Sequence, residues 1–320
     1  ADSIIATGSA DLGLWDDAQI APLQRIVDFL HTQGSAAGIQ LAHAGGKASS
    51  GVWWRQGIAE TDEEKRRYGF EAWSPVAPSA GVTYGSPDQA VRELDHAGMA
   101  AICTAFRVAT RRALAAGFDI VEIHAAHGYL LHQFLSPLTN RRTDAFGGSR
   151  EGRMRFPLEV AEAVRAEWPV ERPLAVRLSV KECDNDGWQL ADSIDLAREL
   201  KARGVDLIDA SSGNGSSSTA FAHYQVPLAE AVRREADIKT VAIGLIVDAA
   251  GADSIIATGS ADLVALARGA LEDPNWPVHA RHILGGEDDP YGHWPKQVGH
   301  VIRNKDRELR LRDWQPEGSE

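Results

Sequence analysis

Apolar stretches of strand length recur at Ala37–His43, Asp119–Ala126, Leu174–Ser179, Asp206–Ser211, Thr240–Gly244 and Asp262–Ala267. Between them the apolar positions follow helical spacing, which predicts helices over Ala18–Thr32, Met99–Ala116, Arg150–Glu167, Ala191–Ala202, Pro227–Glu235 and Ala249–Ala257. Repeated strand–helix units of this kind predict an α/β protein with a parallel sheet and helices outside it, either open and doubly wound or closed into a barrel. Three helix-to-strand junctions share one form, Gly117-Phe-Asp119, Gly204-Val-Asp206 and Gly259-Ser-Ala-Asp262. The glycine suits a left-handed helix stop, and the aspartate stands where the strand begins. No G-x-G-x-x-G follows a strand, so a dinucleotide-binding Rossmann reading has little support.

Alternation within the strands favours the barrel. In Ile120–His124, Val121 and Ile123 share one face and Glu122 and His124 the other, while Arg177 and Ser179 oppose Val176 and Leu178. The apolar face belongs under helices. Gln40, Glu122, His124, Arg177 and Asp209 then project from successive strands into one interior, several of them near strand C-termini, where a (β/α)8 barrel places its chemistry. A satisfied polar ladder inside the barrel is the plainer alternative for Glu122 and Asp209. The loop over 44–95 carries Trp53, Trp54 and Trp73 and is too long for a simple connection; it reads as a lid over the strand C-termini or as a surface excursion filled by its own tryptophans.

Composition narrows the function classes. With 320 residues, 44% of them hydrophobic and 24% charged, the chain has ample material for a core. A net charge of −12 argues against nucleic acid or an anionic membrane as partner and favours a small-molecule enzyme. Two cysteines, Cys103 and Cys183, and the absence of an apolar run of about 18 residues predict a reducing, cytoplasmic setting. The two methionines are Met99 and Met154, so the sequence does not begin at an initiator, and residues 1–12 recur unchanged at 252–263. The start therefore reads as cut or rearranged, by duplication, engineering or a sequence-assembly fault.

The densest chemistry lies in His124-Ala-Ala-His127-Gly-Tyr129, just after the second clear strand. Two histidines three apart could bind metal, act in catalysis or simply pack, and no convincing third metal ligand accompanies them. The stretch resembles the old yellow enzyme family of FMN-dependent ene-reductases, especially its thermophilic-like bacterial branch. Further matching pieces are Gly38-Ile-Gln-Leu-Ala-His-Ala-Gly45, Ser136-Pro-Leu-Thr-Asn-Arg-Arg-Thr-Asp-Ala-Phe-Gly-Gly-Ser149, Val176-Arg-Leu-Ser179, Gly244-Leu-Ile246 and Asp262-Leu-Val-Ala-Leu-Ala-Arg268. Their order and spacing, from about Asp11 to Trp294, make the resemblance specific.

The resemblance implies a TIM-type (β/α)8 barrel with FMN at its C-terminal mouth and NADPH or NADH as hydride donor. It places Gln40 and Arg177 at the flavin pyrimidine edge and Gly244, Ala267 and Arg268 at the phosphate. It makes His124 and His127 hydrogen-bond donors to the substrate carbonyl or nitro oxygen and Tyr129 the proton donor to the alkene α-carbon. A phenol with an ordinary pKa of about 10 stays protonated at neutral pH and can serve in that way. A surface ion pair is the plainer alternative for Arg268, and a packed aromatic for Tyr129.

The chain also departs from that pattern. About six strands are legible, with the duplicated segment where relatives have their first two strands. Gly46, Gly152 and Ala267 replace the usual Arg, Asn and Gly. The expectation is a single FMN-binding domain over 1–320, with 44–95 as a lid-like insertion and 285–320 as a C-terminal extension. Within that extension, Pro290-Tyr-Gly-His-Trp294 resembles a segment that in relatives can reach a neighbouring active site, which predicts a homo-oligomer. A flavin-free scaffold that lost cofactor binding and a metal-dependent hydrolase built on His124 and His127 remain as alternatives.

Overall fold

The computed structural model describes residues 12–48, 63, 66, 74–82, 90–213, 222–285, 289 and 291–312. The first copy of the repeated segment, Trp53, Trp54 and Trp73 of the expected lid, and Pro290 lie outside the described residues.

Strands form at β1 (Gly38–Leu41), β2 (Val76–Ala77), β3 (Arg92–Glu93), β4 (Ile120–Ala125), β5 (Leu174–Ser179), β6 (Leu207–Ser211), β7 (Lys239–Ala242) and β8 (Leu263–Val264). Six of them make one sheet in the order β1-β4-β5-β6-β7-β8, parallel throughout, and β2 pairs with β3 in a separate two-residue parallel ladder. Every strand expected from the pattern is present: Leu174–Ser179 with its expected bounds, β7 shifted to start at Lys239, and the others with shorter ends. Sequential parallel order is what single-helix crossovers dictate. The sheet is the greater part of a barrel wall of the TIM type, with free edges at β1 and β8 among the described residues.

The six expected helices lie at Ile20–Thr32, His96–Ala115, Arg150–Arg165, Leu190–Ala202, Val226–Ala236 and Ala249–Ala257. Their apolar sides cover the sheet, and Phe106, Val121, Ile123, Phe156, Leu174, Leu178, Leu196 and Ile208 join one fully buried core. Each such side chain contributes roughly 1.5–3 kcal/mol by leaving water. Gly117, Gly204 and Gly259 stop their helices at φ 91°, 84° and 74°, the left-handed region that the junction motif predicted.

Four further helices, Leu130–Leu135, Arg268–Glu272, Trp276–Leu284 and Lys296–Arg312, went unseen in the apolar pattern. Leu130–Leu135 is buried on every side and so has no polar face to set a period. In the C-terminal extension Tyr291 is buried against the chain's own last helix, its hydroxyl donating to Asp306 Oδ2 at 2.9 Å. The described parts of the 44–95 segment are tied down by Arg142, whose guanidinium donates to the carbonyls of Pro78 and Leu94 at 3.0 and 2.6 Å. Among the described residues no helix is long and apolar enough to cross a membrane.

Candidate functional site

β4 delivers Glu122 and His124 to the inner face and ends at Ala125. The chain then turns through two left-handed residues, His127 at φ 58° and Gly128 at φ 73°, before Tyr129 starts the Leu130–Leu135 helix. Left-handed backbone is uncommon away from glycine and needs outside support. The His127 N–H donates to Ser179 Oγ at 2.9 Å, the Ser179 hydroxyl donates to the Gly213 carbonyl at 2.8 Å, and Lys47 Nζ donates to the His127 carbonyl at 2.7 Å.

This turn gathers three predicted site residues. The His124 ring centroid lies 5.2 Å from that of His127 and 5.0 Å from that of Tyr129, edge-on in both cases. His127 Nε2 is 2.7 Å from Ser211 Oγ, whereas the buried His124 Nδ1 has no hydrogen-bond partner among the described residues. Burial, reinforced by His127 and the Arg177 charge, pushes the His124 pKa down to about 2, and burial with the Arg177 charge pushes that of His127 to about 4. Both rings are therefore neutral at neutral pH, each with one N–H to give. Lys47 stands 5.7 Å from the Tyr129 ring centroid, and burial lowers its pKa.

Across the sheet the inner face continues as a polar ladder. Gln40 pairs in register with Glu122, His124 with Arg177, and Arg177 with Asp209. The Gln40 amide donates to Glu122 Oε1 at 2.5 Å. Arg177 Nε lies 3.3 Å from Asp209 Oδ2, yet Arg177 Nε and Asp209 Oδ1 are buried without a hydrogen bond among the described residues. The ladder is thus satisfied at one end and open at the other. Burial raises the Glu122 pKa against the Gln40 hydrogen bond and the Arg177 charge, and it carries Asp209 up to about 7 despite Arg177.

Beside the open end lies a cleft of about 540 Å³ at the C-terminal ends of the strands, lined by His127, Arg177, Ser211, Gly244, Ala267 and Arg268 among others. It collects four of the five predicted cofactor residues. Gln40 stands outside its wall, in contact with Glu122. Gly244 has φ 106°, and a Cβ there would come 2.9 Å from Gln225 Oε1, so only glycine fits. Arg268 is exposed on the cleft wall with no ion-pair partner among the described residues, unlike the surface pair that was its plainer alternative. An uncompensated guanidinium, a glycine cradle and an unpartnered buried Arg177 nitrogen suit an anionic, planar ligand with acceptor atoms along one edge, so the residues present fit FMN.

Two departures from the family pattern find a local setting. Gly46 is buried with its N–H donating to Gln133 Oε1 at 3.1 Å, and a Cβ on Gly152 would lie 2.2 Å from the Gly147 carbonyl oxygen. Sequence reasoning passed over Ser211 and Lys47, and over Ser179 as a support. The period-two alternation that exposed Arg177 and Asp209 puts both serines on the same inner face, whereas nothing local in the sequence marks Lys47. Among the described residues no group of three His, Cys, Asp or Glu side chains could hold a metal ion.

Comparison with known proteins bears on the family. Residues 3–286 match the family model described as the NADH:flavin oxidoreductase / NADH oxidase family. The NADPH dehydrogenase of Geobacillus sp. (strain WCH70) is 42% identical over 279 residues, which cover 87% of this chain and 75% of that protein. The NADPH dehydrogenase of Halalkalibacterium halodurans is 41% identical over 280 residues, covering 86% and 75%. Among solved structures, morphinone reductase in complex with tetrahydroNAD superposes with TM-score 0.67 at 28% identity, over 88% of this chain and 78% of that one. The old yellow enzyme homologue from Zymomonas mobilis gives TM-score 0.67 at 27% identity, over 87% and 75%. The parallel strand order and these matches together show that the chain belongs to the NADH:flavin oxidoreductase / NADH oxidase family, the old yellow enzyme family of oxidoreductases that work with FMN and NAD(P)H.

Proposed function

We propose that the protein is an ene-reductase that uses NAD(P)H to reduce the activated C=C bond of α,β-unsaturated carbonyl or nitro compounds, within a single FMN-binding domain. FMN, when bound, supplies the hydride that it receives from the nicotinamide and delivers from N5 to the substrate β-carbon. The chain's own residues do the rest. Arg177 on the cleft wall, with Gln40 beside it across the ladder, would hold the pyrimidine edge, where a fixed guanidinium stabilises the negative charge that reduction brings. Gly244 would let the backbone approach the phosphate closely, the Ala267–Arg268 segment would hold it from the other side, with the Ala267 methyl where relatives carry glycine, and the Arg268 charge would neutralise it.

His124 and His127, neutral and edge-on, each offer an N–H to the carbonyl or nitro oxygen of the alkene, where charge accumulates as hydride arrives. Losing one such donor costs about 2.7–4 kcal/mol in comparable oxyanion sites. Tyr129 gives a proton to the α-carbon. The observation that carries this reading is the meeting of His124, His127 and Tyr129 within ring distances of 5.2 and 5.0 Å beside the cleft.

The test is the pair of anaerobic half-reactions on purified protein. A flavin absorption band, bleached by NADPH or NADH and restored by an unsaturated ketone, is the expected result. Tyr129→Phe should slow the second half-reaction far more than the first. Colourless protein that cannot be reconstituted with FMN would favour the scaffold alternative, and equal loss in both half-reactions would remove Tyr129 from the proton-donor role.

A further inference from the structure

The turn that carries His127 and Tyr129 is gripped from below by side chains that do not line the cleft. Gly128 lies between the two, and the following helix holds both of its polar backbone groups. Its N–H donates to His132 Nδ1 at 2.8 Å, and its carbonyl accepts from Gln133 Nε2 at 2.7 Å. His132 is 1% exposed, and burial, with the Lys47 charge, pushes its pKa down to about 3. Because Nδ1 accepts, the single ring proton sits on Nε2.

That nitrogen has no hydrogen-bond partner among the described residues, and its closest carboxylate oxygen is Glu182 Oε1 at 3.6 Å. Glu182 is itself 3% exposed and spends its other oxygen on the Ser136 hydroxyl at 2.7 Å and the Trp188 N–H at 2.6 Å. One buried carboxylate thus ties the loop after β5 to the far end of the helix that starts at Tyr129. Cys183, on the cleft wall, is the next residue along that loop.

We infer that His132 is a positioning residue: by accepting the Gly128 N–H it fixes the left-handed turn, and so sets the Tyr129 hydroxyl and the His127 ring in one common geometry. The inference rests on the proposed role of Tyr129. A two-residue left-handed turn has few bonds of its own, so the acceptor that its half-buried N–H finds helps to hold it. Misplacement of a reacting group by about 1 Å is enough to cost on the order of a hundredfold in rate. Asparagine at 132 can present an oxygen close to the Nδ1 position, whereas leucine fills the space and accepts nothing.

The experiment compares H132L and H132N as FMN-loaded enzymes by two readouts. Amide hydrogen exchange at Gly128 should accelerate on the order of tenfold or more in H132L and return towards the wild-type rate in H132N. Unchanged exchange in H132L overturns the inference. Single-turnover reoxidation by 2-cyclohexen-1-one should slow on the order of tenfold in H132L and recover in H132N, and adding H132L to Y129F should cost clearly less than H132L costs alone, since only the share carried by the His127 ring remains. Losses that add in the double variant overturn it, because a merely structural defect acts independently of the phenol. If Y129F alone is silent while H132L still frees the Gly128 amide, the proton-donor reading fails and the hold on the turn stands. Should H132L not fold, H132Q, whose oxygen lies one bond too far, takes its place with the same expected losses.

Discussion

Asp119 and Ala37 hold each other by two hydrogen bonds: the Ala37 N–H donates to Asp119 Oδ2 at 2.7 Å, and the Asp119 N–H donates to the Ala37 carbonyl at 2.8 Å. The same reciprocal pair joins Asp206 to Leu174 and Asp262 to Thr240. In each case the aspartate stands at the entry to a strand and clasps the N-terminal end of the preceding neighbour in the sheet, where the slanted parallel ladder leaves an N–H without a strand partner. A side chain from the adjoining helix completes the clasp, with His31, Arg165 and Arg233 lying 2.8, 3.4 and 2.9 Å from the three carboxylates. Three recurrences of one Gly-to-Asp junction thus set the register at the bottom of the sheet, away from the site.

Asp206→Ala should destabilise the protein by about 1–3 kcal/mol, since it strands the buried Leu174 N–H. Asp206→Asn, which keeps an acceptor, should lose less. Urea unfolding followed by circular dichroism measures both, and a change below about 0.5 kcal/mol for the alanine variant would remove the clasp from the stability account.

Gly244→Ala should weaken FMN retention, because φ 106° strains any side chain and the added carbon meets Gln225 at 2.9 Å on the cleft wall. Flavin released on dilution, read by its fluorescence, reports the effect. Retention equal to wild type would take Gly244 out of the phosphate cradle.

Arg177→Gln should make the flavin midpoint potential more negative by about 30 mV or more, the equivalent of about 1.4 kcal/mol for a two-electron couple. The guanidinium is paired only loosely with Asp209 at 3.3 Å, and the proposed function makes it the charge that would stabilise the reduced pyrimidine edge. A dye-coupled potentiometric titration checks this, and an unshifted potential would place Arg177 elsewhere.

Acid should destabilise the protein well above the usual carboxylate range. His124, His127 and His132 have folded pKa values of about 2, 4 and 3, while in the unfolded chain they titrate near about 6.5. Their contribution is complete above about pH 6.5 and is lost as pH falls towards 4, by about 1.4 kcal/mol per pH unit for each group. Asp209, raised to about 7, opposes them: its contribution is present below about pH 3.9 and fades as pH rises to 7. Glu122, also raised by burial, opposes them in the same sense, and three groups still outweigh two. Unfolding free energy should therefore fall between about pH 6.5 and 4.5, and H132L should flatten that slope by one proton's worth.

Association should follow from the two sheet edges that stand open among the described residues. Leu263 in β8 is 54% exposed and Leu271 83% exposed. A free parallel edge with apolar neighbours is a template for another chain. Analytical ultracentrifugation should give a mass above the 34.5 kDa of one chain at micromolar concentration, and Leu263→Lys should reduce it. A lone 34.5 kDa species at every concentration would defeat the homo-oligomer expectation.

The β1, β4, β5 and β6 runs, the helix stops at Gly117 and Gly204, and the inward row Gln40, Glu122, His124, Arg177 and Asp209 were legible because strand and helix periods are local properties of the chain. The second copy of the repeated dozen likewise reads as it folds, with a helix end at Ala257, a stop at Gly259 and β8 from Leu263. The buried Leu130–Leu135 helix escaped because no polar face gave it a period. The parts played by Lys47, His132 and Glu182 escaped because each acts on a residue far from it in sequence or through backbone that only the turn exposes.

Sequence by itself determined the element types, the sheet's parallel order and the residue kinds on its inner face, since pleat and helical pitch are fixed by covalent geometry. Tertiary structure alone decided the electrostatics. Burial makes three histidines neutral and leaves Arg177 half paired, while contacts over 80 and 52 residues, from Lys47 and Ser179, hold the His127 turn in a backbone conformation that it would not keep alone.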